Sequence, residues 1–564
     1  MTETPHPLYE AHADTLARAL HAIADRGYFS AYPESPSPRV YGETAAADGA
    51  AAFRAHLGGR FALDQPGTVG WTRTEASPFG VPLDVSYPQG DPAALVAAAG
   101  AALPAWRDAG PQARAGVCLE ILARLHARIF ELANAVQFTT GQAFVMAFQA
   151  GGAHALDRAL EAVAYGYAEM TRHPGAAAWE KPAGKAGSLR LSKTFHVVPR
   201  GVALVIGCNT FPTWNSYPGL FASLVTGNPV IVKPHPRAVL PLALTVRLAR
   251  EVLAAAGFPP DLVLLAAEAP GEPVASALAT HPAVRIVDYT GSTAYGDWLE
   301  EHARQAVVYT EKAGANTVVV DSTDDFAGMC RNIAFSLSLY SGQMCTTPQN
   351  ILVPRDGIGT DQGHKTFDDV AAGIATAVGG LTADPGRAVE VLGAVVHPGI
   401  LDRLAAAREL AGQSLGALVL DSREVAHPAY PDAVVRTPLL VALSADQAQV
   451  YGEEWFGPMA FLVRTDSTEH SLAVFRSVVA ARGALTALVY ATDPAVLADA
   501  EKAAVDVGVH LSANLTGGVF VNQSAAFSDF HGTGANPAAN AALTDGAFVA
   551  NRFRIVQSRR PVSA

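Results

Sequence analysis

The spacing of apolar positions changes character along the chain. From about residue 111 to 172 it is helical, with Leu119, Leu122, Leu125 and Ile129 recurring on one face, which predicts a long helical region. Before that, residues 1 to about 75 read as an alanine-rich helical start, a Pro/Ser loop (AYPESPSPRVYG) and mixed segments, and Asp91-Pro92 is the cap and first-turn pair of a further helix. After the loop EKPAGKAGSLRL the pattern shifts to short, continuous apolar runs. GVALVIG (201–207), NPVIVKP (228–234), VRIVDYTGS (284–292) and NTVVVD (316–321) are expected strands. Between them, TWNSYPGLFASLV and LPLALTVRLAREVLAAAG (240–257) are expected helices, the second ended by Gly257. From about 322 to 510 the alternation resumes, with NILVPR, TALVYATD and, just beyond, GVFVN as strand-like runs. Strands alternating with helices predict an α/β fold with a doubly wound parallel sheet, and such sheets bind ligands beyond the carboxyl ends of their strands. LRLSKTFHVV, inside 188–201, alternates like an exposed ribbon that needs a partner edge. GTGANPAANAALTDG near the end reads as an irregular loop.

Composition narrows the function. A chain of 564 residues, half of them hydrophobic, fills two or three domains. The net charge of −12 argues against nucleic acid or an anionic membrane as the main partner. No run is apolar for long enough to span a bilayer, and the first residues lack a basic start followed by an apolar run, so a cytoplasmic protein is expected. The four cysteines, at 118, 208, 330 and 345, show no CxxC spacing, so neither disulfides nor a metal site is expected.

Five stretches carry candidate chemistry. Cys345, in YSGQMCTTPQN, sits among small and polar neighbours: Gly342 allows close backbone approach, and Gln343 and the threonines keep the surroundings polar. Taken alone it reads sooner as an inert buried thiol at a helix start. Glu311 ends a strand-like run before a small-residue turn, where a carboxylate serves as a general base or merely meets solvent. Lys233 ends an apolar strand, either for a cofactor hydroxyl or phosphate, or to reach water. Gly291-Ser292, in DYTGSTAYG, is a strand-to-helix turn whose amides suit a phosphate or a plain cap. GEEWFGPM (452–459) groups Glu454 and Phe456 beside a Gly-Pro turn.

In order and spacing these stretches resemble the aldehyde dehydrogenase superfamily: Lys-Pro ending a strand, Thr-Gly-Ser-Thr-x-x-Gly, a Glu, Gly-Gln-x-Cys, then Glu-Glu-x-Phe-Gly-Pro. The likeness covers roughly residues 95 to 525. Within the superfamily the long N-terminal extension, IGCNTFPTWNSYPG and YSGQMCTTPQN are similar to the phenylacetic acid degradation protein (PaaN) group. The resemblance implies Cys345 as nucleophile on an aldehyde, an oxyanion held by the Cys345 N–H and a side-chain amide, and Glu311 as base for hydrolysis of the thioester. It implies Lys233 on the adenosine ribose, Ser292 beside Gly291 on the pyrophosphate, Glu454 on the nicotinamide ribose and Phe456 against the nicotinamide side of the pocket. It implies an N-terminal extension (1–75), an NAD(P)-binding domain (76–311), a catalytic domain (312–514) and a C-terminal oligomerisation tail (515–564). The hairpin 188–201 would join that tail in a dimer or tetramer. The implied substrate is the ring-opened, CoA-linked semialdehyde of aerobic phenylacetate breakdown. A CoA-acylating dehydrogenase and a non-catalytic binding protein of the same fold are the alternatives.

Three departures matter. Where the family reads Pro-Trp-Asn-Phe-Pro, this chain has Cys208-Asn209-Thr210-Phe211-Pro212, so the oxyanion amide is expected at Asn209. Three residues after Lys233, where many NAD-preferring relatives carry Glu, stands Pro236, with His235 and Arg237 nearby, so NADP is expected over NAD. Lys312 and Ala313 replace the usual Leu and Gly after the base.

Overall fold

The computed structural model describes residues 6–312, 314–412 and 415–562. Ala313 lies outside the described residues. Two parallel sheets organise the chain. The first contains β1 (Val202–Ile206), β2 (Val230–Lys233), β3 (Val263–Leu265), β4 (Val284–Gly291) and β5 (Val307–Lys312) in the order β3-β2-β1-β4-β5, all parallel. The order reverses between β1 and β4, so a crevice opens beyond their carboxyl ends. The second contains β6 (Thr317–Val320), β7 (Asn350–Pro354), β8 (Ala417–Leu420), β9 (Leu439–Ser444), β10 (Met459–Thr465), β11 (Thr486–Tyr490) and β12 (His510–Ala513) in the order β8-β9-β10-β7-β6-β11-β12, with only the β8 edge antiparallel. β1 and β2, β6 and β7 are buried along their whole length, which is why they read as continuous apolar runs. The chain passes from one sheet to the other between Lys312 and Thr317.

Helices cover the sheets. The expected long helical region is α2 (Gly110–Ala127), α3 (Ile129–Thr140) and α4 (Ala155–Thr171), with a π-helical turn at Gln149–His154 leading into α4. α5 (Pro212–Val225) follows β1 and α6 (Leu240–Ala255) follows β2. α7 (Thr293–His302) follows β4, and α8 (Phe326–Ser338) leads towards Cys345. The N-terminal extension folds onto this layer: Leu16, Ala19 and Ala22 of α1 (Ala13–Asp25) join the same core as α2 and α4. Glu75, near the end of the extension, accepts the N–H groups of Val239 and Leu240 at the start of α6, and burial pushes its carboxyl up to about 7 against these bonds and that of Tyr87. Among the described residues no helix is long and apolar enough to cross a membrane.

Three expectations change. The segment 188–201 is not a hairpin by itself: Ser188–Pro199 is the centre of a three-stranded antiparallel ribbon between Ala176–Pro182 and Phe553–Pro561. GVFVN (518–522) is no strand, because its polar groups bond to α8 instead of a neighbouring strand: the Asn332 side chain donates to the Val519 carbonyl at 2.7 Å and Asn522 donates to the Ser336 carbonyl at 3.0 Å. The tail from 515, expected as an oligomerisation element, instead contributes residues 518–531 to the wall of the cavity described below.

The end of the chain is fastened to the first sheet by one buried ion pair. Arg552, fully buried, reaches Asp288 of β4 through two bonds of 2.8 and 2.6 Å and also donates to Ser223 at 2.7 Å and to the Phe548 carbonyl at 3.0 Å. Removing one member of a buried pair strands the other charge, so Arg552→Ala is expected to cost about 3–5 kcal/mol, read as a lowered urea midpoint.

Candidate active site

Cys345 is presented by a turn that few sequences tolerate. After α8, Tyr340 and Ser341 take left-handed conformations (φ 54° and 50°), and Gly342 follows at +67°. Such a conformation costs a non-glycine residue about 1–2 kcal/mol, so the surroundings must impose it. The Tyr340 hydroxyl donates to the Thr140 carbonyl, and Ser341 Oγ donates to the carbonyls of Gly393 and Arg436, both at 3.0 Å. A Cβ on Gly342 would stand 2.4 Å from the Gly457 carbonyl oxygen, so the glycine answers to space as well as to φ. Gln343 does not keep the site polar as expected: it is fully buried and bonds to the backbone of Tyr340, Ala394 and Val396, each at 3.0 Å. Asn316, just before β6, completes the grip: its amide donates to the carbonyls of Cys345 (2.8 Å) and Thr347 (3.0 Å), and its oxygen accepts the N–H groups of Leu485 and Thr486.

Around the half-buried thiol stand Glu311 and His531, whose ligating atoms lie with Cys345 Sγ within 4.8 Å of one another. His531 Nε2 is 3.1 Å from Glu311 Oε1 but off the line of a hydrogen bond, and its ring meets Trp214 edge-on at 4.6 Å. Asn215, in the first turn of α5, donates towards both Glu311 oxygens at 3.2 and 3.3 Å. Burial pushes the Glu311 carboxyl up, but His531 together with bonds from Cys345 and Asn215 outweighs it, and the net shift is downward. The thiol moves the other way: burial first, then the Glu311 charge, raise Cys345 well above the usual cysteine range. The expected amide, Asn209, is not among the residues lining the cavity at Cys345, and its Oδ1 is buried without a partner. The amide that reaches the site is Asn215, one helical turn beyond Phe211, because α5 begins at Pro212 and its first turn faces Glu311.

On the opposite side of Cys345, Glu454 and Phe456 border a small cleft with Asn316 and Gly342. Burial raises the Glu454 carboxyl to about 7, opposed by Arg403. Gly291 ends β4 and Ser292 caps α7 without a side-chain bond. Lys233, at the end of β2, is buried and paired at 2.8 Å with Glu268, which follows β3. That pair changes the premise of the NADP expectation, since a carboxylate does stand at this strand end. Burial and the neighbouring Lys233, Arg237 and His397 lower His235 to about 4, so it is neutral at pH 7, and Arg237 is engaged by the Val396 carbonyl at 3.1 Å. Lys312 points away from the site, paired with Asp297 at 2.8 Å and Glu300 at 3.2 Å.

The profile described as "Aldehyde dehydrogenase family" matches residues 87–532. The chain belongs to the aldehyde dehydrogenase family. A crystal structure of an NAD-dependent aldehyde dehydrogenase from Burkholderia multivorans is 58% identical with a TM-score of 0.97, each chain covered in full. The 1-pyrroline-5-carboxylate dehydrogenase from Thermus with bound NAD shares the fold at 20% identity and TM-score 0.72, over 95% of this chain and 99% of that one. Among curated proteins, the N-succinylglutamate 5-semialdehyde dehydrogenase of Paraburkholderia xenovorans is 30% identical over 49% of this chain, and the match spans only 53% of that relative. The 1-pyrroline-5-carboxylate dehydrogenase of Bacillus subtilis is 26% identical over 66% of this chain and 68% of its own length.

Family motifs marked Cys345, Glu311, Glu454 and Phe456 in the sequence. Asn316, Glu268 and His531 carry no such mark there, because each acts through a contact between distant segments; Asn215 was visible only as the next amide after Asn209.

The Glu311 charge beside the thiol has a measurable effect. In Glu311→Gln that charge is gone and the thiolate becomes easier to form. Alkylation of Cys345 by iodoacetamide is expected to titrate at lower pH than in wild type and, for a shift of about one unit, to run roughly 10-fold faster at pH 7. An unchanged profile would mean that Glu311 does not face the thiol.

Proposed function

We propose that the chain is an NAD(P)-dependent dehydrogenase that converts an aldehyde to a carboxylic acid through a thioester on Cys345. Its support is that Cys345 and Asn215 line one cavity while Glu311, bonded to the Asn215 amide, stands beside the thiol. The thiol proton is released to solvent, and the thiolate sulfur bonds to the aldehyde carbon. The Cys345 N–H and the Asn215 amide stabilise the oxyanion that results. A bound nicotinamide supplies the hydride acceptor that turns this adduct into the thioester. Glu311 then removes a proton from water, whose oxygen attacks the thioester; the carbon–sulfur bond breaks, the acid is released, and Glu311 returns the proton to the departing thiolate.

The cofactor residues are Lys233 for the adenosine ribose, Ser292 with Gly291 for the pyrophosphate, Glu454 for the nicotinamide ribose and Phe456 against its pocket. They suit a nucleotide: Lys233 ends a strand at the crevice, Ser292 opens a helix, and Glu454 has only Arg403 to oppose its burial. NAD is better supported than NADP, because Glu268 beside Lys233 would repel a 2′-phosphate and the 58% identical structure is described as NAD-dependent.

The finer substrate, the CoA-linked semialdehyde of phenylacetate breakdown, rests on the likeness of two motifs to the PaaN group, while the curated relatives are named for other semialdehydes. The CoA-acylating alternative is disfavoured by Glu311 standing against Cys345, where it serves water; product release independent of added CoA would settle that choice. Assembly as a dimer or tetramer through the ribbon is supported by the exposed Leu189 and Val556 along it.

Cofactor reduction tests the function. Cys345→Ala is expected to abolish it on every aldehyde, and activity in that variant would refute the thioester route. Asn215→Ala is expected to lower kcat by about 10²–10³, the usual cost of an oxyanion donor, while Asn209→Ala stays within about 3-fold of wild type. The reverse ranking would restore Asn209 to the role. For the cofactor, wild type is expected to favour NAD in kcat/KM, and Glu268→Gln to narrow that preference; a wild type that favours NADP overturns the assignment.

A further inference from the structure

The cavity that reaches Cys345 has a volume of about 580 Å³ and is walled by segments from both ends of the chain. Residues 28–34 of the N-terminal extension form one side. They are fixed by α4 and the π-helical turn before it: Asp157 accepts Ser30 Oγ at 2.6 Å and the Ala31 N–H at 2.9 Å, and His154 meets Glu34 at 2.7 Å. Phe29 packs edge-on against Phe527 at 4.9 Å, which joins this side to the 518–531 segment. Apolar side chains wall much of the cavity: Val145, Met146, Trp214, Phe335, Leu339 and Phe520, with Phe335 and Phe520 stacked at 4.0 Å. The charged groups along the cavity are Glu34, Asp157, Glu390 and Asp529, together with the histidines His154 and His531. No lysine or arginine lines it among the described residues. Arg158 stands behind Trp214, fully buried, and is engaged by Glu161 at 2.8 Å and the Asp529 carbonyl at 3.0 Å.

An aldehyde that carries a carboxylate close to its carbonyl needs a cation or a set of aligned donors, because an anion stripped of water without them is strongly disfavoured. This cavity offers apolar walls and an acidic rim of exposed Glu34, Glu390 and Asp529 instead. Gln149, Gln523, Ser524 and Ser528 also line it but bring no positive charge, and the Asn522 and Thr346 donors are engaged by the carbonyls of Ser336 and Asn522. We propose that the funnel of this chain, with residues 28–34 as one wall, selects aldehydes with an uncharged, apolar body and rejects those with a carboxylate near the reacting carbon. The selection rests on the dehydrogenase function proposed above and sets this chain apart from relatives named for carboxylate-bearing semialdehydes. A long conjugate fits only where its charged end lies beyond the acidic rim.

Two measurements test it, one of which needs no turnover. In steady-state kinetics octanal is expected to exceed 5-oxopentanoate by about 100-fold or more in kcat/KM, and the gap to shrink as salt screens the acidic rim. Gln149→Arg, which sets a guanidinium in the wall, is expected to raise kcat/KM for 5-oxopentanoate about 10-fold, and Phe29→Ala to lower the octanal-to-propanal ratio about 5-fold. In the second measurement Cys345 is alkylated by neutral iodoacetamide or by anionic iodoacetate, both in wild type and in Glu311→Gln, and read at the Cys345 peptide. The iodoacetamide preference is expected to exceed that of free cysteine in both proteins, so that Glu311 is not its source. A preference equal to free cysteine in Glu311→Gln, or 5-oxopentanoate matching octanal in wild type, overturns the proposal. If no aldehyde is oxidised at all, the dehydrogenase function falls, while the alkylation ratio still decides the character of the funnel.

Discussion

One side chain ties the Cys345 turn to the rest of the molecule. Asn316 sits where the chain leaves the first sheet for the second, and its amide group makes four bonds at once: out to the carbonyls of Cys345 and Thr347, and in from the N–H groups of Leu485 and Thr486. It is 2% exposed, so each lost partner would leave a buried polar group unmet, at about 1–3 kcal/mol. The start of β6, the thiol turn and the start of β11 therefore share one reference point. The left-handed turn at Tyr340–Gly342 is affordable only because such contacts hold it from several sides.

The same interior treats its two key carboxylates in opposite ways. Glu311 and Glu454 both flank Cys345, the first buried and the second half-buried, yet the first is held below the usual glutamate range and the second is raised to about 7. Burial acts alike on both. The difference lies in the neighbours: Glu311 has a histidine, a thiol and an amide, whereas Glu454 has only Arg403. Near pH 7 the two acids therefore differ in protonation, Glu311 ionised and Glu454 partly protonated and able to donate a hydrogen bond.

The parallel sheets were legible in the sequence because strands buried on both faces are written as unbroken apolar runs, and GVALVIG, NPVIVKP and NTVVVD all became strands. GVFVN has the same look and is a loop, since nothing in a short run tells whether its partner will be a strand or the side chains of a helix. The strand at Val263–Leu265 was missed for its shortness. At the site, Cys345 and Glu311 could be named from their motifs. Asn215 could not be preferred to Asn209, because the choice depends on where α5 begins. Glu268 could not be paired with Lys233, because they meet across adjacent strands.

The seam between Phe29 and Phe527 has a consequence in time. Phe29 is made long before Phe527. The helices on which the early segment rests, together with Asp157 and His154, are complete long before residue 527 emerges. Until it does, the mouth above Cys345 has one finished wall and no opposite one. The closed funnel is thus a feature that the chain acquires only once residue 527 has been made, and a chain that had built both sheets but stopped short of that residue would still lack the wall.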